Sequence, residues 1–570
     1  MKIGLISINM HTKSLNFACP IHSWAFQRFL KMHGIDSKVI DYTPNYNDDF
    51  PAREPAPYYE KKYKALLEAN PQTEAGIQER ESKLRQYKFK WEGYAALHDE
   101  RCERFDKFED FVQTYYDKTD EKYDEVKLDR VDSGFDCYIC VTDVIWSCDE
   151  YWGFDKGFLL DCKTMENKWK ISYAASRGVP KELEECEEAY FARAVSDIDF
   201  VSVREKSLKE YVQSLLPDKQ VTTVIDPVLL LPVEEYEKIL IKPEIDHYIV
   251  VYYAMERPKE LFQMAIRYAK LHHVRIVELT HIPVEGGMVQ TEDVEVVQDF
   301  AAGPKEWLGY LKYADCIFTN SFHATCFSIL FHKKFFNSKR NGDKLSNLLE
   351  TFQLTDRTFD TLRDEFAQRA AQKGLRRHYH SARILLGIEK RPFDREINYH
   401  KVDQILEQER KKSGEFILSA IDYAKQHPRP HTDYDAVRKK IEMDFAYYAN
   451  SVEAVWVGGE IDASKEELRT ISNGKIEFRR HNFKNNGETM VRMDLFERKG
   501  YTLEGWYIRI RVNREWYWVH KDGSIVKRDQ DHRPSMDREH TLFRAGENIP
   551  YVPVEMISAM IADAVWKKNE

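Results

Sequence analysis

Two residues suited to anion binding and proton transfer stand directly after predicted strands of this sequence. Arg204 follows an apolar strand at 199–203, and His323 follows another at 316–319, in a Ser-Phe-His turn that leads into a helix. In α/β sheets such strand ends carry ligand-binding residues, and a helix start presents free N–H groups to an anion. An arginine offers forked donors to a carboxylate or phosphate, and a histidine exchanges protons near neutral pH. The pair predicts an anion site with an acid or base; the alternatives are a surface Arg204 paired with Glu205 and a His323 that caps its helix.

Further polar side chains lie close to these positions in the sequence. Ser321 and Thr325 flank the histidine, and they either cap the following helix or donate to the bound anion. Asp143 follows a predicted strand at 137–142 and is a candidate base for a substrate hydroxyl, with a loop cap as the alternative. Asp226 precedes a proline and is predicted to be a turn residue rather than a catalyst.

Metal-ligand spacing is not recognisable among the histidines. His11, His22 and His33 have no metal-ligand spacing with each other, and neither a carboxylate pair nor a His-x-x-x-His motif is evident. The sequence therefore predicts neither a metal nor a cofactor.

The elements that must position these residues follow from the hydrophobic pattern. Residues 3–8 form a predicted strand, 21–32 an amphipathic helix and 37–42 a second strand. This β-loop-α-β opening is typical of a doubly wound α/β lobe, which we place at residues 1–205. Lys-rich and Glu-rich residues at about 58–127 predict an insertion of solvated surface helices.

A second α/β lobe is predicted at 206–398, followed by a closing helix at 399–427. The predicted strands of this lobe are 221–225, 248–252, 275–279 and 316–319. Its predicted helices are 258–271 and 304–313. Two linked Rossmann-like lobes closed by a late helix predict a GT-B-like architecture with its active site in the cleft between the lobes. The inference concerns the fold alone, because a fold does not determine a function.

The C-terminal part of the chain has a different character. A linker is predicted at 427–431, where the sequence reads His-Pro-Arg-Pro-His. Residues 432–570 predict a β-rich accessory domain, because 505–520 contains two strand patterns joined by a turn. Trp516 and Trp518 share one strand face, and they either join a core or, if exposed, stack on sugar rings.

Composition limits the class of protein. Of the 570 residues, 43% are hydrophobic and 32% are charged, and the net charge is −10. These values fit a folded multidomain protein and argue against nucleic-acid binding. The nine scattered cysteines suit a reducing compartment, and the sequence has neither a long apolar run nor a signal-peptide pattern. We expect a cytoplasmic protein without an integral membrane segment, compatible with peripheral membrane association and with a homo-oligomer.

Four segments of the sequence carry short motifs, which read Ser-Tyr-Ala-Ala-Ser at 172–176, Val-Arg-Glu at 203–205, Asp-Pro-Val-Leu-Leu at 226–230 and Ser-Phe-His-Ala-Thr at 321–325. In these segments the sequence resembles the polysaccharide pyruvyl transferase family. They are similar to the family's motifs Ser-Tyr-Ala-Ala-Ser-x-Gly, Val-Arg-Glu, Asp-Pro-x-Leu-Leu and Ala-Asp followed by Ser-Phe-His-Gly-Thr. The segments lie at residues 170–178, 199–207, 224–230 and 314–325, in the family's order. The resemblance covers roughly residues 1–427. It implies an enzyme that moves the pyruvyl group of phosphoenolpyruvate onto a sugar hydroxyl pair, forming a pyruvate ketal in the biosynthesis of a surface polysaccharide or glycan.

The resemblance also implies roles for individual residues. Arg204 would hold the donor anion and His323 would act as general acid or base, with Asp143 acting on the acceptor hydroxyl. The family often has a basic residue in the loop after the strand at 334–337, so Arg340 or Lys344 is the expected second phosphate contact. The acceptor would be a nucleotide-linked or lipid-linked sugar or a glycan.

Two departures from the family pattern lie in the first lobe. The sequence Val-Thr-Asp-Val-Ile-Trp at 141–146 stands where the family has Gly-Ser-Asp-Gln-x-Trp, and Phe17-Ala18 replaces the usual Tyr-Gly. Both concern the lobe that should face the acceptor sugar. Two alternatives therefore stay open: a GT-B-type glycosyltransferase, which needs a nucleotide-sugar site, and a non-catalytic glycan-binding protein with a decayed active site.

Overall fold

The structure, a computed structural model, describes most of the 570-residue chain. The residues outside the description are 9–14, 45–49, 69–73, 149–153, 181–182, 184, 255–256, 281–292, 340, 365–391, 435–467, 472–474, 479–500, 513–514, 528–533, 545–546, 551, 553–556 and 569–570.

The first lobe is built on a parallel sheet. Its strands, among the described residues, are β1 (Ile3–Ser7), β2 (Lys38–Tyr42), β3 (Lys118–Tyr123), β4 (Cys137–Asp143), β5 (Trp169–Ala175), β6 (Phe200–Val203) and β7 (Val221–Thr223). They lie in the order β3-β2-β1-β4-β5-β6-β7. Alternate residues of β4 enter two separate cores, with Ile139 in one and Tyr138 in the other. The central strands are therefore covered on both faces, as apolar runs in a parallel sheet require.

Helices connect the strands of this sheet and pack against it. They are α1 (Ala18–Met32), α2 (Ala56–Glu68), α3 (Glu74–Ala96), α4 (His98–Tyr115), α5 (Glu125–Arg130), α6 (Glu185–Ser196) and α7 (Lys206–Leu215). Helix α1 buries the apolar positions that its periodicity predicts, such as Trp24 and Phe26. It ends before Gly34, whose φ of +71° is a conformation that favours glycine.

The charged segment after residue 58 is more than a solvated surface. Helices α2 and α3 are largely exposed, as predicted, but α4 buries Phe108, Phe111 and Arg104. The prediction of surface helices is therefore wrong for α4. Strand β3 was not predicted either, because its residues are mostly charged and it lies at the edge of the sheet.

A second parallel sheet forms the second lobe. Its strands are β8 (Tyr248–Tyr252), β9 (Arg275–Leu279), β10 (Val296–Asp299), β11 (Cys316–Thr319) and β12 (Phe335–Asn337), in the order β10-β9-β8-β11-β12 among the described residues. The helices that connect and cover the lobes are α8 (Pro227–Leu230), α9 (Val233–Glu237), α10 (Lys259–His272), α11 (Pro304–Tyr313), α12 (Phe322–Leu330) and α13 (Lys344–Thr351). The two Rossmann-like lobes predicted from the sequence are thus present.

One strand belongs to a different lobe than the sequence suggested. Residues 221–225 were expected to open the second lobe, but β7 pairs with β6 at the edge of the first sheet. The first sheet therefore extends beyond residue 205, the expected end of the lobe. The hydrophobic pattern predicted the strand correctly but could not assign its sheet, since pairing depends on contacts distant in sequence.

The predicted closing helix is α14 (Tyr399–Gln426), which contacts the first lobe. The Ile225 amide donates to Ser413 Oγ (3.0 Å), and Arg410 donates to the carbonyls of Leu229 (2.6 Å) and Leu231 (2.7 Å). These bonds give hydrogen-bond partners to backbone groups in α8 and in the residues beside it. Helix α14 therefore links the end of the second lobe to the first lobe.

The predicted linker is docked rather than free. Arg429 is buried against the first lobe, where its Nε donates to Asp199 (2.9 Å) and its Nη2 donates to Asp197 (2.8 Å). The Tyr434 hydroxyl also donates to Asp197 (2.9 Å). The prolines of this segment correctly indicated the end of α14, but its arginine anchors the segment.

We expect Arg429→Met to lower the free energy of unfolding of the first lobe by about 1–3 kcal/mol, because it leaves the partly buried carboxylate of Asp199 without its cation and that of Asp197 with Lys170 alone. Urea unfolding followed by tryptophan fluorescence measures this change. The matched control is Arg395→Met, which removes a half-exposed arginine that lies 3.5 Å from Asp356 and should change stability by less than about 0.5 kcal/mol. Equal effects of the two substitutions would contradict the anchoring role.

The C-terminal region carries an antiparallel sheet, in agreement with the predicted β-rich domain. Its described strands are β13 (Leu468–Ile471), β14 (Lys475–Phe478), β15 (Tyr501–Val512), β16 (Glu515–Val519), β17 (Ile525–Lys527), β18 (Leu542–Phe543) and β19 (Ile557–Lys568), with a short helix α15 (Arg538–Thr541). Trp506, Ile508 and Ile510 are buried, as the alternation predicts. Trp516 and Trp518 are half-buried. In the described part of the chain, no helix is both long and apolar enough to cross a membrane.

Candidate active site

Side chains from both lobes meet where the carboxyl ends of the two parallel sheets face each other. The first lobe contributes Asp143 at the end of β4, Arg204 directly after β6 and Asp226 at the start of α8. The second lobe contributes His323 in the first turn of α12 and Lys344 at the start of α13. The strand-end rule thus brought together four residues singled out in the sequence, and Asp226 joins them.

Arg204 is the centre of this cluster. Its Nη1 donates to Asp226 Oδ2 (2.9 Å), its Nη2 to Asp143 Oδ1 (3.4 Å) and its Nε to Glu205 Oε1 (3.1 Å). The guanidinium also lies 4.2 Å from the ring centroid of Phe322. The pairing with Glu205 that the alternative interpretation proposed is present, but the surface position in that alternative is wrong, since only 4% of the Arg204 side chain is exposed.

Asp226 joins the two lobes. Its Oδ1 caps α8 by accepting from the Val228 amide (3.1 Å), and its Oδ2 accepts from Thr142 Oγ1 (2.9 Å). His323 Nε2 lies 3.4 Å from the same oxygen, although the ring nitrogen makes no bond of good geometry. The sequence indicated the turn correctly but missed the central position of Asp226, because an Asp-Pro pair is a frequent turn signal.

The Ser-Phe-His segment, predicted as a turn before the helix, is already part of the helix start. Helix α12 begins at Phe322, so His323 is inside the first turn rather than before it. Ser321 is the N-cap and accepts from the Ala324 amide (3.3 Å). Thr325 donates to the Ser321 carbonyl (2.8 Å) and accepts from Asn337 (2.7 Å). The capping alternative therefore describes the contacts of Ser321.

Asp143 is held by two cations at longer distances. Besides Arg204, Lys344 Nζ lies 4.0 Å from its Oδ1. The backbone at this point is unusual, because Thr142 and Asp143 have φ values of +39° and +61°, and such conformations concentrate at functional sites. Arg340, the alternative second phosphate contact, lies outside the described residues.

A second histidine of the cluster was missed in the sequence. His22 of α1 is fully buried, its ring centroid is 5.5 Å from that of His323, and its Nε2 has no hydrogen-bond partner. Burial, followed by the neighbouring His323, lowers the pKa of His22 to about 4. The spacing between histidines does not reveal this role, whereas the position of His22 in the helix that follows β1 is the signal that places it at the sheet edge.

The two aspartates are kept ionised by their neighbours. Burial by itself would raise the pKa of Asp143, but Lys344, His323 and Arg204 outweigh it and hold that pKa well below its usual range. The same balance, led by His323, depresses the pKa of Asp226. Burial opposes the charge of Arg204, yet its three carboxylates, Glu205 first, raise its pKa further. The cluster is therefore a compact set of buried charges.

The comparison with known families decides which proteins this chain is related to. The sequence pattern of a family described as polysaccharide pyruvyl transferase matches residues 21–338, more than half of the chain. This chain belongs to that family. The matched region contains His22, Asp143, Arg204 and His323, and it ends shortly before Lys344. No curated protein sequence matches the chain significantly.

Solved structures resemble this pyruvyl transferase family member only distantly. The UDP-N-acetylglucosamine 2-epimerase of Rickettsia bellii has 10% identity and a TM-score of 0.35, over 74% of this chain and 97% of its own. The UDP-GlcNAc 2-epimerase of Neisseria meningitidis has 10% identity and a TM-score of 0.34, over 72% of this chain and 100% of its own. A UDP-glucosyltransferase of Polygonum tinctorium has 8% identity and a TM-score of 0.31, over 74% and 98%. Similarity at this level carries no conclusion about activity.

A metal ion is one further ligand to consider for this pyruvyl transferase site. Cys19, His22 and Asp143 place possible ligand atoms within 4.8 Å of one another. However, Arg204 and Lys344 already flank the carboxylate of Asp143, and two fixed cations oppose a third. The absence of a metal requirement therefore stays a prediction from the sequence.

Proposed function

We propose that this protein transfers the pyruvyl group of phosphoenolpyruvate to a pair of hydroxyls on a sugar, forming a ketal and releasing phosphate. The observation that carries the proposal is the buried cluster of Arg204, Asp226, His323 and Asp143, which lies inside the region matched by the pyruvyl transferase family. This reaction requires anion binding and proton transfer, and the cluster contains residue types suited to both.

The donor needs cations for its phosphate and carboxylate. Asp143 is the most loosely held carboxylate, since its 3.4 Å and 4.0 Å distances to Arg204 and Lys344 exceed the roughly 2.7–2.9 Å of strong charge-assisted bonds. In the proposal, a donor oxyanion replaces Asp143 between these two cations. The cluster holds three carboxylates and two permanent cations, and the bound donor lies beside His323.

The two histidines divide the proton transfers. His323 donates a proton to the methylene carbon of phosphoenolpyruvate, and the neighbouring carbon forms a bond to the first sugar oxygen. His22 accepts the proton that this hydroxyl loses. The carbon–oxygen bond to phosphate then breaks with its electron pair on the leaving group, which receives the proton held by His22. The second hydroxyl adds to the same carbon and returns its proton to His323.

His22 suits the role of base better than Asp143, which was the candidate from sequence. Its imidazole is neutral at pH 7 because burial lowers its pKa to about 4, and its Nε2 is without a partner. The Asp143 carboxylate is stabilised as an anion by Lys344 and Arg204, which makes it a weaker proton acceptor. In the proposal, Asp143 positions the cations instead.

The first test is ligand stabilisation. Phosphoenolpyruvate at about 100 times its Kd should stabilise the folded protein by about 2.7 kcal/mol and raise Tm by roughly 2–4 °C. Differential scanning calorimetry measures this shift. Lys344→Met should reduce it, whereas Lys339→Met, which removes an exposed lysine of the preceding loop, should leave it unchanged. Stabilisation by a UDP-sugar in the absence of any response to phosphoenolpyruvate would favour a glycosyltransferase instead.

A further inference from the structure

Helix α4 places a guanidinium between the two lobes. Arg104 is wholly buried, its Nη2 donates to the Leu15 carbonyl (3.1 Å), and its Nη1 approaches the Thr280 carbonyl at 3.4 Å. Its guanidinium carbon lies 4.0 Å from the ring centroid of Phe17. Leu15 belongs to the first lobe, and Thr280 directly follows β9 of the second lobe. Arg104 therefore touches the same interlobe edge as the His323 cluster.

The carboxylate of Asp299 favours the charge of Arg104 only from beyond ion-pair distance. Within the described residues Arg104 forms no ion pair, whereas the similarly buried Arg204 and Arg357 lie next to acidic side chains, the latter 3.0 Å from Asp356. A guanidinium has five N–H donors, only two hydrogen bonds are formed, and Nε has no partner. Burial lowers the pKa of Arg104 to about 9, so the group remains charged at neutral pH. A buried charge without a counter-ion is costly, and the N–H donors that Arg104 has left over suit an anionic ligand.

The position of this charge separates it from the donor site. Strand β9 lies two strands away from β11, which precedes His323, and neighbouring strands are about 4.8 Å apart, so the two strand ends are roughly 10 Å apart. A donor held between Arg204 and Lys344 is too short to reach Arg104 as well. Leu15, whose carbonyl accepts from Arg104, has a φ of +47°, a strained conformation for a leucine.

We propose that Arg104 binds an oxyanion of the acceptor, so that the acceptor is an anionic sugar compound rather than a neutral glycan. This inference rests on the proposed function, since it assigns the second substrate of the same cleft. The group recognised is a phosphate or carboxylate, whose oxygens accept from the free N–H donors of the buried guanidinium. A carrier diphosphate and a uronic acid are the two sources of such a group.

Calorimetry with two probes tests the proposal. With phosphoenolpyruvate saturating, addition of inorganic pyrophosphate or of glucuronate should raise Tm by a further 2–4 °C or so, and the probe that acts identifies the source. Arg104→Met should lose this further rise while keeping the response to phosphoenolpyruvate. Its Tm without ligand should be equal to or higher than that of the wild type, because the unpaired charge is removed.

Arg410→Met is the matched control, because Arg410 also donates to two backbone carbonyls but has Glu407 as a partner. It should lower Tm and keep both ligand responses. The proposal is overturned if neither probe shifts the wild type, or if Arg104→Met lowers Tm as Arg410→Met does and keeps the probe response. Loss of the phosphoenolpyruvate response alone, with a probe shift that still depends on Arg104, would count against the proposed function and leave the anion site standing.

Discussion

His323→Gln is expected to lower kcat for pyruvyl transfer by about 10²–10⁴-fold, the usual contribution of a positioned acid. The side chain is buried between His22 and Asp226, and its Nε2 makes no hydrogen bond that the substitution would break. Folding should therefore be preserved. Because a proton donor acts mainly in the transition state, the Kd of phosphoenolpyruvate should change much less than kcat. Steady-state kinetics together with calorimetric titration of the donor separates the two quantities.

His332→Gln is the matched control, since His332 follows the same helix but is about half exposed and pairs with Asp403. It should leave kcat unchanged. His22→Gln should lower kcat with little effect on donor affinity; a normal kcat in that variant would return the role of base to Asp143. If His323→Gln weakens donor binding and leaves turnover at saturation normal, His323 is a phosphate-binding cation and not the acid.

Arg204→Met is expected to destabilise the protein by about 3–5 kcal/mol at neutral pH, because three buried or nearly buried carboxylates lose their common cation. Those carboxylates belong to Asp143, Glu205 and Asp226. Arg363→Met, which removes a half-exposed arginine paired with Glu260 and Asp360, should cost less than about 0.5 kcal/mol. Urea unfolding of the three proteins gives the comparison.

The stability of Arg204→Met should depend less on pH in the acidic range than the stability of the wild type. In the wild type the folded-state pKa values of Asp143 and Asp226 are depressed. Their stabilising contribution is therefore full above the unfolded value of about 3.9 and is lost as the pH falls through the lower folded values. Arg204→Met removes one of the cations that depress these pKa values, while Lys344 and His323 keep part of the effect. The folded-state pKa values of the variant should therefore lie closer to the unfolded value, and the variant should lose less stability than the wild type as the pH falls from about 5 to about 2. An equal loss in the two proteins would contradict the assigned balance of charges.

Local sequence patterns predicted much of the architecture because each element has its own periodicity. Helix α11 was predicted with the bounds that the structure shows, and α1, α10 and α14 differ from prediction by a few residues. What the patterns could not supply is pairing. Strand β7 joined the other sheet, and Arg429 anchors a segment that reads as a linker, because both outcomes depend on partners far away in sequence.

The sequence predicted those residues of the candidate site that lie at or directly after the ends of parallel strands. Arg204, Asp143 and His323 each follow a strand, so the topology of the sheets brings them together. His22 and Asp226 lie on or at the start of helices, where the sequence offers no comparable rule. The sequence did not indicate Arg104 for a different reason. Its helix is rich in charged residues, and only the packing of Phe108 and Phe111 shows that one face of the helix is buried.

The most direct measurement of the central claim is a transfer assay with phosphoenolpyruvate and a panel of acceptors. The panel contains nucleotide-linked, lipid-linked and uronic-acid sugars together with a neutral glycan, and both phosphate release and product mass are recorded. We predict phosphate release that requires an acceptor, with a product that gains one pyruvate less one water. His323→Gln should abolish both signals and His332→Gln neither. Transfer of a sugar from a nucleotide sugar, with no acceptor-dependent phosphate release from phosphoenolpyruvate, would contradict the assignment.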